Sequence, residues 1–424
     1  MWNKIRQIWK IPDLRKSILF VLAMLIIFRI AAHIPVPGVD TGALKNLFQS
    51  NQLLGLINIF SGGSMENFSI VMLGIAPYIT SSIIFQLLTM VIPKLEELSK
   101  EGEYGRKKIN QWTRWLTIPL AFLQSFGMIT ILRQSAANVL PNFTSWQMLT
   151  AMITITAGTI FLMWLGELIS EKHIGNGISL LIFAGIVSGL PTSLGSTLYT
   201  YDQTQIINMI IFAVIALITI IGVVIITEGQ RNIPVSYARR IRGNRVYGGV
   251  DTHLPLRVNQ AGVIPIIFAI AIIMFPPLIA QLFLRVKTIW LAQAAQWVVQ
   301  IFQDQLFYGI AYFMMVVAFT YFYTAVIFHP DQIAENLQKQ GGFVPGIRPG
   351  KTTAEYLQKI VTRIIFTGAL FLGLIAILPL ITAQITSTQS LVVGGTSLLI
   401  VVSVVIEMVS QINAQLSMRD YEEI

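Results

Sequence analysis

Gly177-Ile-Ser-Leu-Leu-Ile-Phe-Ala-Gly-Ile-Val-Ser-Gly-Leu-Pro191 is an apolar run that meets a proline after 14 residues. A helix rises about 1.5 Å per residue, so a hydrocarbon core of about 30 Å needs about 20 residues to cross. A run of 14 often marks a re-entrant segment. Whether this one crosses sets the sidedness of everything after it.

The flanking sequence decides the question. Apolar blocks recur near 18–37, 70–92, 113–133, 148–168, 177–190, 206–227, 260–284, 306–328, 362–382 and 391–411. Lys and Arg collect in cytosolic loops. The N-terminal tail holds five (Lys4, Arg6, Lys10, Arg15, Lys16) and the loop at 93–114 six (Lys94, Lys100, Arg106, Lys107, Lys108, Arg114). The loop at 228–259 holds six (Arg231, Arg239, Arg240, Arg242, Arg245, Arg257) and that at 329–363 five (Lys339, Arg348, Lys351, Lys359, Arg363). Lys172 and Arg419 join them, whereas the opposite side has four: Lys45, Arg133, Arg285 and Lys287. The tail and the 93–114 loop share a side, so the short apolar stretch Leu53–Phe60 between them does not cross. The loops at 93–114 and 228–259 also share a side, so 177–190 does. Parity therefore predicts ten spans with both termini in the cytosol. Two sets of five, an odd number, would run in opposite directions, the arrangement of inverted repeats around a central pathway. No residue-level repeat accompanies it, so parity alone leaves the symmetry open.

Composition agrees with a membrane bundle. Of 424 residues, 54% are hydrophobic and 12% charged, against roughly 25% charged in a soluble domain. Length alone would suggest two or three soluble domains, but the apolar blocks overrule that. The net charge of +9 matters less than where the charges lie. With no cysteine, disulfides, thiol nucleophiles and Cys-ligated metals are excluded. The basic N-terminus lacks a small-residue cleavage site before His33-Ile-Pro35, so its apolar block reads as the first span.

Several chemistries lack their residues. His33, His173, His253 and His329 stand singly and match no metal spacing. Gly350-Lys-Thr352 resembles the end of a phosphate-binding loop, but Pro345 occupies the position where that motif requires glycine. The reading is a chain that is not an enzyme and uses no cofactor. Arg29, Glu167, Glu228 and Glu407 are the main ionisable residues within spans. The glutamates lie near cytosolic ends, within reach of water. Arg29 lies deeper, toward the outer third, where it would snorkel or pair within the bundle. An ion-coupled transporter, the rival reading, would place carboxylates near the midplane.

Two features ask for more than packing. Gly55-Leu-Ile-Asn-Ile-Phe60 runs into Ser61-Gly-Gly-Ser64 on the outer side without crossing. Composition alone slightly favours an amphipathic helix on the outer leaflet over one folded back into a cavity. The cytosolic loops at 228–259 and 329–361 are far longer than the 2–8 residues that helix connections need. Their basic, glycine-rich stretches, Tyr237-Ala-Arg-Arg-Ile-Arg-Gly-Asn-Arg245 and Gly341-Gly-Phe-Val-Pro-Gly-Ile-Arg-Pro-Gly350, suit a large acidic partner such as structured RNA. Attraction to anionic lipid is the alternative.

The chain resembles the SecY family, the large subunit of the protein-conducting channel. The resemblance rests on Phe28-Arg-Ile, Ile34-Pro-Val-Pro-Gly-Val-Asp40, Asn58-Ile-Phe-Ser-Gly-Gly63, Leu73-Gly-Ile-Ala-Pro-Tyr-Ile79, Glu101-Gly-Glu-Tyr-Gly-Arg106, Trp164-Leu-Gly-Glu167 and Ile174-Gly-Asn-Gly-Ile-Ser179. It continues through Thr252-His-Leu-Pro-Leu256, Asn259-Gln-Ala-Gly-Val-Ile-Pro265, the Gly341–Gly350 stretch and Gly395-Thr-Ser-Leu-Leu-Ile400. No one of these is decisive; the ordered set, from first span to last, is specific, and the bacterial form matches best.

The resemblance implies an all-α fold of ten spans in two inverted pseudo-symmetric halves, 18–195 and 196–412, around a central pore. A cytosolic segment 1–17 would precede them and a cytosolic tail 413–424 follow. It implies a pore ring at Ile75, Ile79, Ile178, Ile182, Ile267 and Ile400, which composition could not have picked. An apolar ring can gate by dewetting. It makes the outer stretch a plug (Ile57, Asn58, Ile59, Phe60, Ser61, Gly62, Gly63) below the ring, reversing the composition-based preference. It places a lateral gate between spans two and three and spans seven and eight, with Thr80, Gln124 and Asn259 as polar groups paired across it. The implied partners are the small membrane subunits SecE and SecG, the SecA motor ATPase, the ribosome, unfolded secretory chains with their signal sequences, and lipid. Arg239, Arg240, Arg242, Arg245 and Arg348 would contact the cytosolic partners. Asn244 departs from a position often basic in relatives. The implied location is the bacterial inner membrane.

Overall fold

The computed structural model describes residues 9–37, 39, 42, 44, 61–134, 144–199, 206–237, 240–242, 245–247, 251–284, 286, 288–386 and 393–422. Helices dominate, and each of the ten expected spans falls on apolar helix. Among the described residues, six helical stretches are long and apolar enough to cross a membrane unaided.

Helix α1 (Pro12–Ala31) opens on a proline, whose fixed φ suits a first turn and whose missing N–H would be unpaired there anyway. It buries Leu14, Val21, Phe28 and Ala31, while Leu19, Leu22, Ile26 and Ile30 face outward. An apolar outer face of this kind suits a bilayer. Helices α2 (Ala76–Val91) and α3 (Pro93–Lys100) bend by 103° at Ile92, because Pro93 cannot donate and pushes its predecessor to extended backbone. Helix α3 buries nothing. On it Lys100 lies 2.7 Å from Glu96 and holds that carboxyl below its ordinary range. Helix α4 (Glu103–Gln134) contains Pro119, and α5 (Ser145–Ser170) starts from a Thr144–Gln147 capping box.

Helix α6 (Gly177–Tyr199) corrects the length inferred for the fifth span. It continues through Pro191 to 23 residues, about 34 Å at 1.5 Å each. A proline inside a helix removes one backbone hydrogen bond, which a membrane bundle tolerates. The crossing that parity required is thus long enough.

Helix α7 (Ile206–Glu228) leads into β1 (Gln230–Tyr237), the hairpin β2 (Arg240–Arg242) and β3 (Arg245–Tyr247), and β4 (Thr252–Arg257). The seventh span is α8 (Ile264–Ile273) and α9 (Phe275–Phe283), parted at Met274 before Pro276-Pro277. Helix α10 (Ile289–Gln303), unforeseen in the sequence, joins it to α11 (Gln305–Ile327). Then come α12 (Pro330–Lys339), β5 (Gly342–Phe343), α13 (Lys351–Thr386) and α14 (Val393–Glu422).

The five strands are an addition to the helical plan. Strand β1 lies between β4 and β5, antiparallel to both, so the loops at 228–259 and 329–361 share one sheet. Ile233 and Val235 alternate with exposed neighbours on β1. Ile233, Leu256 and Val344 cap Leu357, Ile360 and Val361 of α13 in a separate small core.

Helices α1 to α6 pack among themselves, α5 touching α1, α2, α4 and α6. Helices α7 to α14 do likewise, α13 touching α7, α11, α12 and α14. The two sets meet along two seams. One pairs α2 with α8 and α4 with α9; the other pairs α6 with α14.

Candidate functional site

All six isoleucines singled out in the sequence lie in the largest apolar core, which spans both helix sets. Ile75, Ile182, Ile267 and Ile400 are buried in it, and Ile79 and Ile178 pack against it partly buried. They come from α2, α6, α8 and α14, with Ile75 immediately before α2. Ile75 and Ile79 are one helical turn apart, as are Ile178 and Ile182, so each pair covers one helix face.

Local sequence fixes these positions. The Asn176 carboxamide oxygen accepts from the Ile178 and Ser179 amides at 3.0 and 3.3 Å and caps α6. Ser170 Oγ accepts from the Gly177 amide at 2.9 Å and donates to the Gly166 carbonyl at 2.9 Å. Gly177 sits so close to that carbonyl that a Cβ would not fit. Gly262, at φ +63, turns the chain into α8, and Asn259 Nδ2 donates to its carbonyl at 3.2 Å.

Residues 61–75 are a wound, largely buried stretch between α1 and α2. Ser64 Oγ donates to the Ser61 carbonyl at 2.6 Å and also reaches that of Val71 at 3.0 Å. The Val36 amide donates to the Phe68 carbonyl and the Ile70 amide to the Ile34 carbonyl, tying the stretch to the end of the first span. Gly158 of α5 lies against the Ile70 carbonyl with no room for a side chain. Gly62, at φ +71, would drive a Cβ to 2.8 Å from Gly185 Cα and 3.0 Å from Phe28. Arg29 donates from its guanidinium to the Gly62 carbonyl at 2.7 Å. Of the expected plug, Ser61 is buried and Gly62 makes these contacts, and among the described residues nothing lies within 4 Å of where a Cβ at Gly63 would stand. Ile57, Asn58, Ile59 and Phe60 lie outside the described residues.

Thr80, Gln124 and Asn259 are all buried, on or beside the helices of the α2–α8 and α4–α9 seam. For Thr80 and Asn259 the expected pairing across it is replaced by local bonds. Thr80 Oγ1 donates to Ala76 of its own helix at 3.0 Å, and Asn259 bonds locally to Gly262. Asn259 Oδ1 is buried without a partner. In an apolar helix a hydroxyl is satisfied most cheaply by its own backbone four residues back.

On the basic face, β2 and β3 pair Arg240 with Tyr247 and Arg242 with Arg245 in register. Arg239 lies outside the described residues. Arg348 is exposed in a turn closed by Thr353 Oγ1, which donates to the Arg348 carbonyl at 2.9 Å. Nearby on α12, Lys339 lies 2.8 Å from Glu335 and keeps its carboxyl below the ordinary range.

Sequence reasoning missed the partner of Arg29 and three polar ties. Arg114 pairs with Glu167 at 2.6 Å, Gln415 Nε2 donates to the His173 carbonyl at 2.8 Å, and Arg257 reaches Ser410 at 3.4 Å. Charge at these span ends was visible in the sequence, but which ends meet was not. Among the described residues no group of three or more His, Asp or Glu is placed to hold a metal ion.

The SecY family model matches residues 69–409. A protein translocase subunit SecY from Halalkalibacterium halodurans is 44% identical, over 100% of this chain and 99% of its own length. The one from Corynebacterium glutamicum is 45% identical over 99% of each. Among solved structures, one described as a protein-conducting channel superposes with a TM-score of 0.63 at 20% identity, covering 93% of this chain and 91% of that one. Sec61 in a canine ribosome–channel complex gives 0.61 at 19%, with the same coverage. These likenesses carry the fold, and the sequence relatives carry the assignment: the chain belongs to the SecY family.

Proposed function

We propose that this chain is the central subunit of a protein-conducting channel. It passes unfolded secretory polypeptides across the membrane and releases apolar segments sideways into lipid. The observation that carries the reading is the meeting of six isoleucines, from both helix sets, in one apolar core. Such a core excludes ions when closed, and its flexible aliphatic side chains can close around an extended chain of any sequence. The halves 18–195 and 196–412 part along the α2–α8 and α4–α9 seam, which serves as the lateral gate. Residues 57–63 form the plug. The orphaned Asn259 oxygen and the broken α8–α9 span support a seam that separates at low cost.

Driving energy comes from partners on the basic face. The sequence gathers Arg239, Arg240, Arg242 and Arg245 on and around this hairpin, which favours an acidic surface over it. The ribosome and the SecA motor are the partners for Arg239, Arg240, Arg242, Arg245 and Arg348, and SecE and SecG complete the complex. The setting is the bacterial inner membrane, with both termini cytosolic.

The test places a photocrosslinking residue at Ile182 in the full complex and arrests a secretory chain midway. A crosslink is expected at Ile182 and none at Leu217, which is exposed on the outward face of α7. Crosslinking at Leu217 with none at Ile182 would overturn the reading.

A further inference from the structure

We propose that α10 docks on the headgroup layer of the membrane through a face built from Trp290, Ala294, Trp297 and Ile301. At about 100° per residue, the helix divides into three faces. Leu291, Ala292, Ala295, Val298, Val299 and Phe302 form the first, buried or half-buried, and α10 packs against α9 and α11. Gln293, Gln296, Gln300 and Gln303, with Ile289 at the start, form an exposed polar face. Trp290, Ala294, Trp297 and Ile301 follow helical spacing on the third. Its two indoles are 73% and 65% exposed.

Lipid is the occupant that this arrangement fits. A span precedes α10 and another follows it, so both its ends are held at one membrane surface. Its 15 residues rise about 22 Å, too little for a core of about 30 Å. Exposed apolar side chains continue on either side of it: Ile279 and Phe283 of α9, and Leu306, Phe307 and Ile310 of α11. The Phe302 ring meets that of Phe307 edge-on, with centroids 5.5 Å apart. The α10 surface is thus continuous with spans whose outward side chains meet acyl chains. A helix face turned to water usually carries charge. The short helices α3 and α12 do so, with exposed pairs Lys100–Glu96 and Lys339–Glu335. From Thr288 to Gln303 there is no charged residue. Indoles favour the headgroup level, where the ring meets acyl chains and the N–H meets water or phosphate. Arg285 and Lys287 stand just before the helix in the sequence and complement lipid phosphate. Docked in this way, α10 sets the level of α9, which packs against α4. That this steadies one wall of a lateral gate rests on the gate reading above; the docking does not.

The chain has no cysteine, so Ala294→Cys and Gln296→Cys each give a lone site for a fluorescent label, one on the Trp face and one on the Gln face. The test uses the full chain in its complex, any partner cysteine replaced by serine, in vesicles of phosphatidylcholine and phosphatidylglycerol. Quenching is read with iodide on both sides, and separately with lipid carrying a nitroxide near the headgroup or near the chain end. The label at position 294 is expected to be shielded from iodide and quenched most by the nitroxide near the headgroup. At position 296 the order is expected to reverse, with iodide quenching and lipid without effect. Adding Trp290→Gln and Trp297→Gln should cut the lipid quenching at position 294 and raise the iodide quenching. Iodide reaching both positions alike, with no lipid quenching, puts the face in water and overturns the proposal. Shielding of position 294 from both quenchers means that protein covers the face, a partner subunit or a second copy, and overturns it too. Stronger quenching from the chain end overturns the headgroup depth. Lipid quenching that survives loss of both indoles overturns their role as anchors. Should the double replacement fail to assemble, the two labelled chains with both tryptophans in place decide the docking.

Discussion

The central apolar core and the sheet on the basic face both join segments far apart in sequence, but they are held in different ways. The core gathers Ile75, Ile79, Ile178, Ile182, Ile267 and Ile400 with no polar partner among them. Its precision comes from the surroundings: the Asn176 cap, the Ser170 bridge and the glycine contacts at Gly177 and Gly185. The sheet reverses the arrangement. Directional backbone pairing fixes β1 against β4 and β5, and only a small core of Ile233, Leu256 and Val344 backs it. Its outer surface is open and basic. One region is suited to excluding water and ions, the other to meeting a large partner. Damage to each should therefore appear in a different measurement.

The largest expected effect tests the first half of that contrast. Replacing Ile79 and Ile182 together with Asn puts two amides in the core, each costing about 1–3 kcal/mol unless hydrated. Water entry is then favoured by about 100-fold, read as ion conductance in bilayers. Conductance at the closed level would remove the core from the gating role. The second effect is smaller and belongs to the other region. Arg348→Glu reverses a charge in an exposed turn, and motor-driven transport into vesicles should fall about tenfold while conductance stays at the wild-type level. Normal transport, or a leak, would break the separation. The smallest effect sharpens it. Ile233→Val removes one buried methylene and should weaken the sheet by about 0.5–1.5 kcal/mol. It should appear as faster amide exchange in β1 and β4, with the exchange of α6 and α8 unchanged.

Much of the fold was legible in the sequence because lipid imposes a simple rule. Apolar length located a helix at each of the ten expected spans, and the run at Gly177, which parity asked to cross, lies on a helix of 23 residues; Leu53–Phe60 lies outside the described residues. The remainder depended on information that hydropathy does not carry. Pro191 suggested a boundary, but the helix passed through it. The alternation at Ile233 and Val235 was a readable strand signal, hidden by the basic residues around it. Helix α10 lacks charge and buries only Ala295, with Leu291, Ala292, Val298, Val299, Ile301 and Phe302 half-buried, so its apolar pattern was weak in the sequence. The six isoleucines were not distinguishable from many others by residue type; the family resemblance chose them. The polar residues Thr80 and Asn259 were found, but not their partners, because only coordinates show that each bonds locally. Arg29 was visible as an outlier, and the Gly62 carbonyl was not, since a backbone acceptor has no signature in sequence.

The pairing of β1 with β5 has a mechanical side. Segments about a hundred residues apart are stitched into one handle, seated on the first turns of a 36-residue helix, α13. A push on either loop enters the bundle along the same load path, through Leu357 and Ile360. Two different machines, docking on different parts of the handle, would thus deliver force to one shaft.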